Sequence, residues 1–122
     1  MFISPLHLAC INNHIDAVKL LLSNGADIDK QDEDGWTPLH YTADADNDHY
    51  EMCEYLIDQG ANMNLVNIDG NYAYDLADVA ISKLLIRSGF DLKNEYLERY
   101  DGDYSDIVRM LVETIESFAE GW

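Results

Sequence analysis

A block of six residues, Ser4-Pro5-Leu6-His7-Leu8-Ala9, returns 33 positions later as Thr37-Pro38-Leu39-His40-Tyr41-Thr42. Tyr72-Ala73-Tyr74-Asp75-Leu76-Ala77 is a weaker third copy after a further 35 positions. A second block follows each of them. Val18-Lys19-Leu20-Leu21-Leu22-Ser23-Asn24-Gly25-Ala26-Asp27 returns as Cys53-Glu54-Tyr55-Leu56-Ile57-Asp58-Gln59-Gly60-Ala61-Asn62 and as Ser82-Lys83-Leu84-Leu85-Ile86-Arg87-Ser88-Gly89-Phe90-Asp91. A period of this length restricts the chain to architectures in which one small unit is stacked on the next, each burying a face that it cannot bury alone.

Local chemistry defines the unit. Ser4 and Thr37 offer a hydroxyl to the first free amides of a helix, and Pro5 and Pro38 stand at the first helical position, where a missing N–H costs nothing. Ile15, Val18, Leu21 and Leu22 recur at spacings of three and four, the stripe of a second helix. Gly25, Gly60 and Gly89 fit the left-handed position just past a helix end. Asp34-Gly35 and Asp69-Gly70 then mark turns in the segments that link one unit to the next.

These residues resemble the ankyrin repeat family: the TPLH tetrapeptide at Thr37 to His40, its SPLH variant at Ser4 to His7, the LLL and G-A-D segments, and the D-G turn. The resemblance covers about residues 1–92 and implies an all-α solenoid of three helix-turn-helix units, about 1–33, 34–68 and 69–92, with β-hairpin-like fingers. In that family the TPLH histidine joins neighbouring units, and the later one, here His14 and His49, closes a turn between helices. The departures are specific. His14 and His49 are 35 apart instead of 33, which places a two-residue insertion within Asp44-Ala45-Asp46-Asn47-Asp48. Ala77 and Leu84 are seven apart where Ala9 and Leu20 are eleven apart, so the first helix of unit three is stunted or merged with the second. In the tail, 93–122, Tyr104, Ile107, Val108, Leu111, Val112, Ile115 and Phe118 keep a helical period, which predicts a degenerate fourth unit that caps the same domain. Ile115 replaces the stopping glycine, so this helix is expected to run on.

The search for chemistry yields little. His7, His14, His40 and His49 form two repeat-equivalent pairs, which a structural role explains, and no Cys-His cluster at zinc spacing accompanies them. Asp32-Glu33-Asp34-Gly35 has the look of a calcium loop, but the position where a bidentate glutamate is needed holds Ala43. Phosphate-binding, dinucleotide and nucleophile-elbow motifs are all missing, so no enzyme activity, cofactor or metal is expected. Cys10 and Cys53 lie within apolar helical patterns and read as small buried hydrophobes.

Charge is the remaining signal. The 122 residues carry 24 Asp and Glu against 7 Lys and Arg, a net charge of −17, which disfavours nucleic acid and anionic lipid as partners. No apolar run approaches the roughly 20 residues of a membrane span, and the N-terminus lacks the features of a secretory signal, so a cytoplasmic monomer is expected. Residues 27–78 hold 14 of the acids and one base, Lys30, and so carry −13 of the charge. The family resemblance places partner-binding positions at finger tips and first-helix surfaces of a concave face. Asp32, Glu33, Asp34, Trp36, Asp44, Ala45, Asp46, Asp48, Ile68, Asp69, Asn71 and Asp78 match or adjoin those positions. Trp36 is either an interface anchor or packed over the adjacent finger. Two functions follow as expectations: a non-catalytic module that binds a basic protein through this acidic face, or an immunity-type inhibitor that neutralises a basic toxin or nuclease by charge mimicry.

Overall fold

In the computed structural model, which describes residues 3–91 and 112–118, six helices follow one another: α1 (Pro5–Ile11), α2 (Ile15–Ser23), α3 (Pro38–Ala43), α4 (Tyr50–Asp58), α5 (Ala73–Leu76) and α6 (Val79–Arg87). Residues 112–118 are also helical, through Ile115. The predicted cap from 93 to 111, with Tyr104, Ile107, Val108 and Leu111, lies outside the described residues. By its internal packing the chain divides within α6, into Met1–Ser82 and Lys83–Trp122. No described helix is long and apolar enough to cross a membrane.

The starts of α1 and α3 show why the tetrapeptide recurs. Thr37 Oγ1 accepts the His40 amide at 3.2 Å, and the Thr37 amide donates to His40 Nδ1 at 3.2 Å, a reciprocal cap with histidine in the place more often held by Glu or Gln. Ser4 and His7 repeat it, at 3.2 and 3.3 Å. Because Nδ1 is an acceptor, the ring proton sits on Nε2. That nitrogen crosses to the next unit: His7 donates to the Trp36 carbonyl at 2.9 Å, and His40 donates to the Asn71 carbonyl at 2.9 Å. Both rings are buried.

Helix ends follow the sequence as closely. Past α2 the Ala26 amide returns to the Leu21 carbonyl at 3.0 Å and the Gly25 amide to Leu22 at 3.1 Å, with Gly25 at φ +89°. Gly60 and Gly89 end α4 and α6 with the same paired bonds. The α1–α2 turn uses Asn13 at φ +57° instead of glycine, and its repeat equivalent Asp48 sits at φ +51°; short polar side chains tolerate this region best after glycine.

Within the first division α1 packs on α2 and α3, and α3 packs on α4 and α5. Leu6, Ala9, Cys10 and Val18 form the core of unit one; Leu39, Ala43, Met52, Cys53 and Leu56 form that of unit two, with Ala73 and Ile81 beyond. Leu84, Leu85, Phe90 and Val112 are buried in the second division. Burial pushes the thiols of Cys10 and Cys53 up to about 12, so both remain protonated and apolar.

The two departures in the repeat turn out to be one feature. The insertion makes the α3–α4 connection run from Asp44 to His49, and α5 is a stunted helix of 4 residues. Ala45 donates to the Leu76 carbonyl at 2.9 Å, and Asp44 pairs with Ala77 as an isolated antiparallel bridge. The extra chain of unit two thus binds the backbone left where unit three lacks helix. The fingers are hairpin-like turns: Asp32 donates to the Trp36 carbonyl and Asn67 to the Asn71 carbonyl, each at 3.0 Å, without a strand ladder among the described residues.

Gly35 and Gly25 separate two causes of glycine. A Cβ on Gly35 meets the Asn67 Cα at 2.9 Å in the next finger, in addition to the strain of φ +77°; at Gly25 only the strain of φ +89° applies, with nothing within 4 Å. Gly25→Ala is expected to cost about 1 kcal/mol, and Gly35→Ala at least about twice that, because backbone must move. Equal shifts of the two variants in urea denaturation would refute the close-approach account.

Candidate functional site

The acidic segment separates into two groups at opposite ends of α3. Finger residues Asp32, Glu33, Asp34 and Trp36 precede it, and Ile68, Asp69 and Asn71 of the next finger stand beside them, with the Ile68 amide donating to the Asp34 carbonyl at 2.9 Å. Gln31 Nε2 clamps the same joint, donating to the Gly35 carbonyl at 3.1 Å and to the Val66 carbonyl at 2.9 Å. Asp44, Ala45, Asp46 and Asp48 follow α3 and meet Asp78, through the backbone pairing above and a hydrogen bond between the Asp48 and Asp78 carboxyl groups. The helix between them has 6 residues, which spans about 9 Å.

Many of the carboxylates have internal work. Asp32 Oδ1 accepts the Asp34 and Trp36 amides at 3.0 and 2.9 Å, and its other oxygen accepts the Tyr41 hydroxyl. Asp27, Asp29, Asp44, Asp75 and Asp78 each accept a backbone amide as well, Asp29 from Asn62 in the next unit at 2.8 Å. At least six of the 14 acids in residues 27–78 are therefore acceptors for turns, helix starts or unit joints. Asp32, Asp44 and Asp78 are half-buried accordingly, whereas Glu33, Asp34, Asp46, Asp48 and Asp69 are exposed.

Trp36 is half-buried and lies over Tyr41, with ring centroids 4.8 Å apart, and near His40 at 6.0 Å. It packs on its own unit's first helix, and its carbonyl is the acceptor for His7. Asn71 holds the equivalent place for His40. Ile68 is the exposed apolar side chain of the site, at 70%. The Tyr41 hydroxyl is held protonated above its ordinary range by burial first, then by its bond to Asp32 and the charges of Asp32 and Asp34.

Two contributors escaped the sequence reading. Gln31 has Val66 as its equivalent, so the repeat gives no sign of its clamp. His49 does more than close a turn: its Nε2 donates to the Ile11 carbonyl of unit one at 2.8 Å. The signal was present as the shared position of His14 and His49, but the acceptor lies 38 residues away.

Asn67 exposes a mismatch between units. It stands where unit two has Asp32, and its Oδ1 accepts the Asp69 and Asn71 amides at 3.0 Å, but its Nδ2 is buried without an acceptor among the described residues. The corresponding atom of Asp32 is met by Tyr41, whose place in unit three is taken by Leu76.

This geometry defines a repeat protein whose units are joined by histidine-to-carbonyl bonds and whose finger tips and inter-helix loop remain open. Among known proteins, a family model described as ankyrin repeats, in three copies, matches residues 3–67, over half of the chain. Human protein phosphatase 1 regulatory subunit 27 is 40% identical over 84 residues, covering 68% of this chain and 53% of that protein. Mouse protein phosphatase 1 regulatory subunit 12A is 39% identical over 75 residues, covering 62% of the chain and 7% of that protein. Mouse ankyrin repeat and SAM domain-containing protein 6 is 40% identical over 74 residues, with 60% and 8% covered. The chain belongs to the ankyrin-repeat family, and it spans about half the length of the first of these relatives and far less of the other two.

Two variants check the site's internal chemistry. Leu76→Tyr supplies the missing acceptor for Asn67 Nδ2 and is expected to stabilise by about 1 kcal/mol over Leu76→Phe, which lacks the hydroxyl; equal denaturation midpoints for the two would refute it. The Asp48 carboxyl is raised above its usual 3.8 first by its bond to Asp78, then by loss of solvation beside that partner and by the Asp78 charge. A raised acid favours folding most while protonated, so its contribution is lost as pH climbs from 3.8 through the folded value. Asp48→Asn, which keeps the left-handed backbone, should therefore raise the melting temperature at pH 7 and have little effect near pH 3; a gain independent of pH would disprove the coupling.

Proposed function

We propose that the chain is a non-catalytic protein-binding module that takes a basic partner through its acidic finger tips and the loop after α3. The observation that carries this reading is the exposure of Glu33, Asp34, Asp46 and Asp69 around Ile68, in a segment with Lys30 as its single base. The turn carboxylates hold the backbone that presents them. Exposed acids grouped at both ends of one short helix produce a directional field that steers a cationic surface, and the exposed isoleucine adds apolar contact area at short range. The relatives support the module reading over the immunity-type inhibitor, because two of them are by name regulatory subunits, components that act within an assembly. Binding is proposed at the concave face that the finger tips and first helices form in this family.

The test uses the partner recovered from the host extract and purified. Asp34→Lys with Asp46→Lys is expected to slow association about tenfold at low ionic strength, to leave dissociation nearly unchanged, and to flatten the dependence of the on-rate on salt. Unchanged association kinetics with the fold intact by circular dichroism would overturn the acidic-face reading. A single enzyme partner whose activity is abolished on binding would favour the inhibitor instead.

A further inference from the structure

The paired bonds that end α2, α4 and α6 are alike, but the residue ahead of the stopping glycine is not. It is Asn24 in unit one, Gln59 in unit two and Ser88 in unit three, and Asn24-Gly25 is the one Asn-Gly pair in the 122 residues. That pair has a chemistry of its own. The amide nitrogen that follows an asparagine can attack the side-chain carboxamide and close a five-membered ring, and glycine, with no side chain, leaves that nitrogen unhindered and its backbone free to turn. Glutamine must close a larger ring, and serine has no carbonyl to attack.

The end of α2 leaves the pair open to this reaction. Ser23, Asn24 and Gly25 are all exposed, and nothing stands within 4 Å of where a Gly25 side chain would begin. Asn24 sits at φ −99° and ψ 16°, which turns the Gly25 nitrogen away from the carboxamide. Two bonds hold the reacting groups there: the Gly25 amide donates to the Leu22 carbonyl at 3.1 Å, and Asn24 Nδ2 donates to the Leu20 carbonyl at 2.8 Å. Both belong to the last turn, where the Asn24 amide itself is divided between Leu20 and Leu21 at 3.2 Å to each. Exposed terminal bonds of this kind open at far less cost than the whole fold. The finger pair Asp34-Gly35 is the contrast. Gly35 lies against the Asn67 backbone and the Asp34 carbonyl accepts the Ile68 amide at 2.9 Å, so the chain cannot rotate there without parting two fingers.

We infer that Asn24 is a site of self-modification by deamidation. When the last turn of α2 opens, the Gly25 nitrogen bonds to Asn24 Cγ, the Cγ–Nδ2 bond breaks, and ammonia leaves with the proton of the former Gly25 amide, giving a cyclic imide. Water then opens the imide. Attack at Cγ yields aspartate, and attack at the main-chain carbonyl yields isoaspartate, in which the chain runs through Cγ. Either product replaces the donor that capped the Leu20 carbonyl with an anion at the negative end of α2. Isoaspartate also lengthens the main chain ahead of Gly25, so the paired bonds from Gly25 to Leu22 and from Ala26 to Leu21 lose their register. Just beyond, Asp29 accepts the Asn62 amide of the next unit at 2.8 Å, so the reaction loosens the joint between units one and two.

The test follows the full chain in neutral buffer at physiological temperature by intact mass and peptide mapping, with isoaspartate read by enzymatic methylation. Amide-to-acid conversion is expected at Asn24 ahead of every other asparagine, at a rate less than about a hundredfold below that of the urea-unfolded chain, because fraying of one helix end is enough to expose it. A larger slowing, of the kind that access through global unfolding imposes, overturns the proposal. Earlier conversion at another asparagine overturns it too. Once Asn24 is converted the melting temperature should have fallen by about 4 °C, while that of Asn24→Gln, which keeps the donor and is incubated alike, should not have moved. A fall in both chains, or in neither, refutes the loosening of the joint.

Discussion

The imidazole of the repeated tetrapeptide is the interaction on which the rest depends. Each ring takes the amide of its own helix cap at Nδ1 and gives its Nε2 proton to the backbone of the next finger, so one side chain fixes a helix start and a unit joint together. This requires the neutral ring in one tautomer. Burial lowers His40 below its usual 6.5, against the raising effects of the Asn71 bond and the Asp32 and Asp75 charges. For a base with a depressed value, stability is complete above 6.5 and is lost as pH falls through the folded value. The acidic surroundings that suit a basic partner therefore work against the joint, because they favour the imidazolium that cannot accept from the cap.

That tension clarifies the net charge. Read from the sequence, −13 within residues 27–78 looks like a single surface property. In the structure, carboxylates such as Asp32 and Asp29 act as acceptors for amides that no helix satisfies. Turn-rich segments between short helices have many such amides, and aspartate is one of the residues that caps them best. Part of the acidity is thus a consequence of architecture, and only the exposed tips and the loop after α3 remain for recognition.

What was legible in the sequence was local or periodic. The caps at Ser4 and Thr37, the stops at Gly25, Gly60 and Gly89, the insertion before His49 and the stunted helix near Ala77 all depend on residues within a few positions of one another, and the structure places each of them as read. The site was legible less fully. Membership of the acidic segment follows from counting charges, but Asp32 was grouped with its neighbours although it is consumed by Tyr41 and two amides. Its role depends on a partner 9 residues away that the next unit does not repeat. The split of the acids across α3, and the reach of His49 to Ile11, depend on how units stack, which no single copy of the motif encodes.

The two irregularities of the repeat show how such stacking is corrected within the chain. A four-residue first helix leaves carbonyls and side-chain positions that a full helix would occupy, and a stack of nearest-neighbour contacts has no distant element to cover them. Here the preceding unit carries the remedy: its longer connection pairs Ala45 with Leu76 and Asp44 with Ala77, and Asp48 reaches Asp78 at the start of α6. The same loop then holds Asp46 exposed beside Ala45. Asp44, Asn47 and Asp48 use their side chains to hold this loop, whereas the backbone pairing asks nothing of the exposed side chain of Asp46. Such a segment accumulates charge at little cost to packing, so the position of the second acidic group at the far end of α3 follows from the mending of unit three.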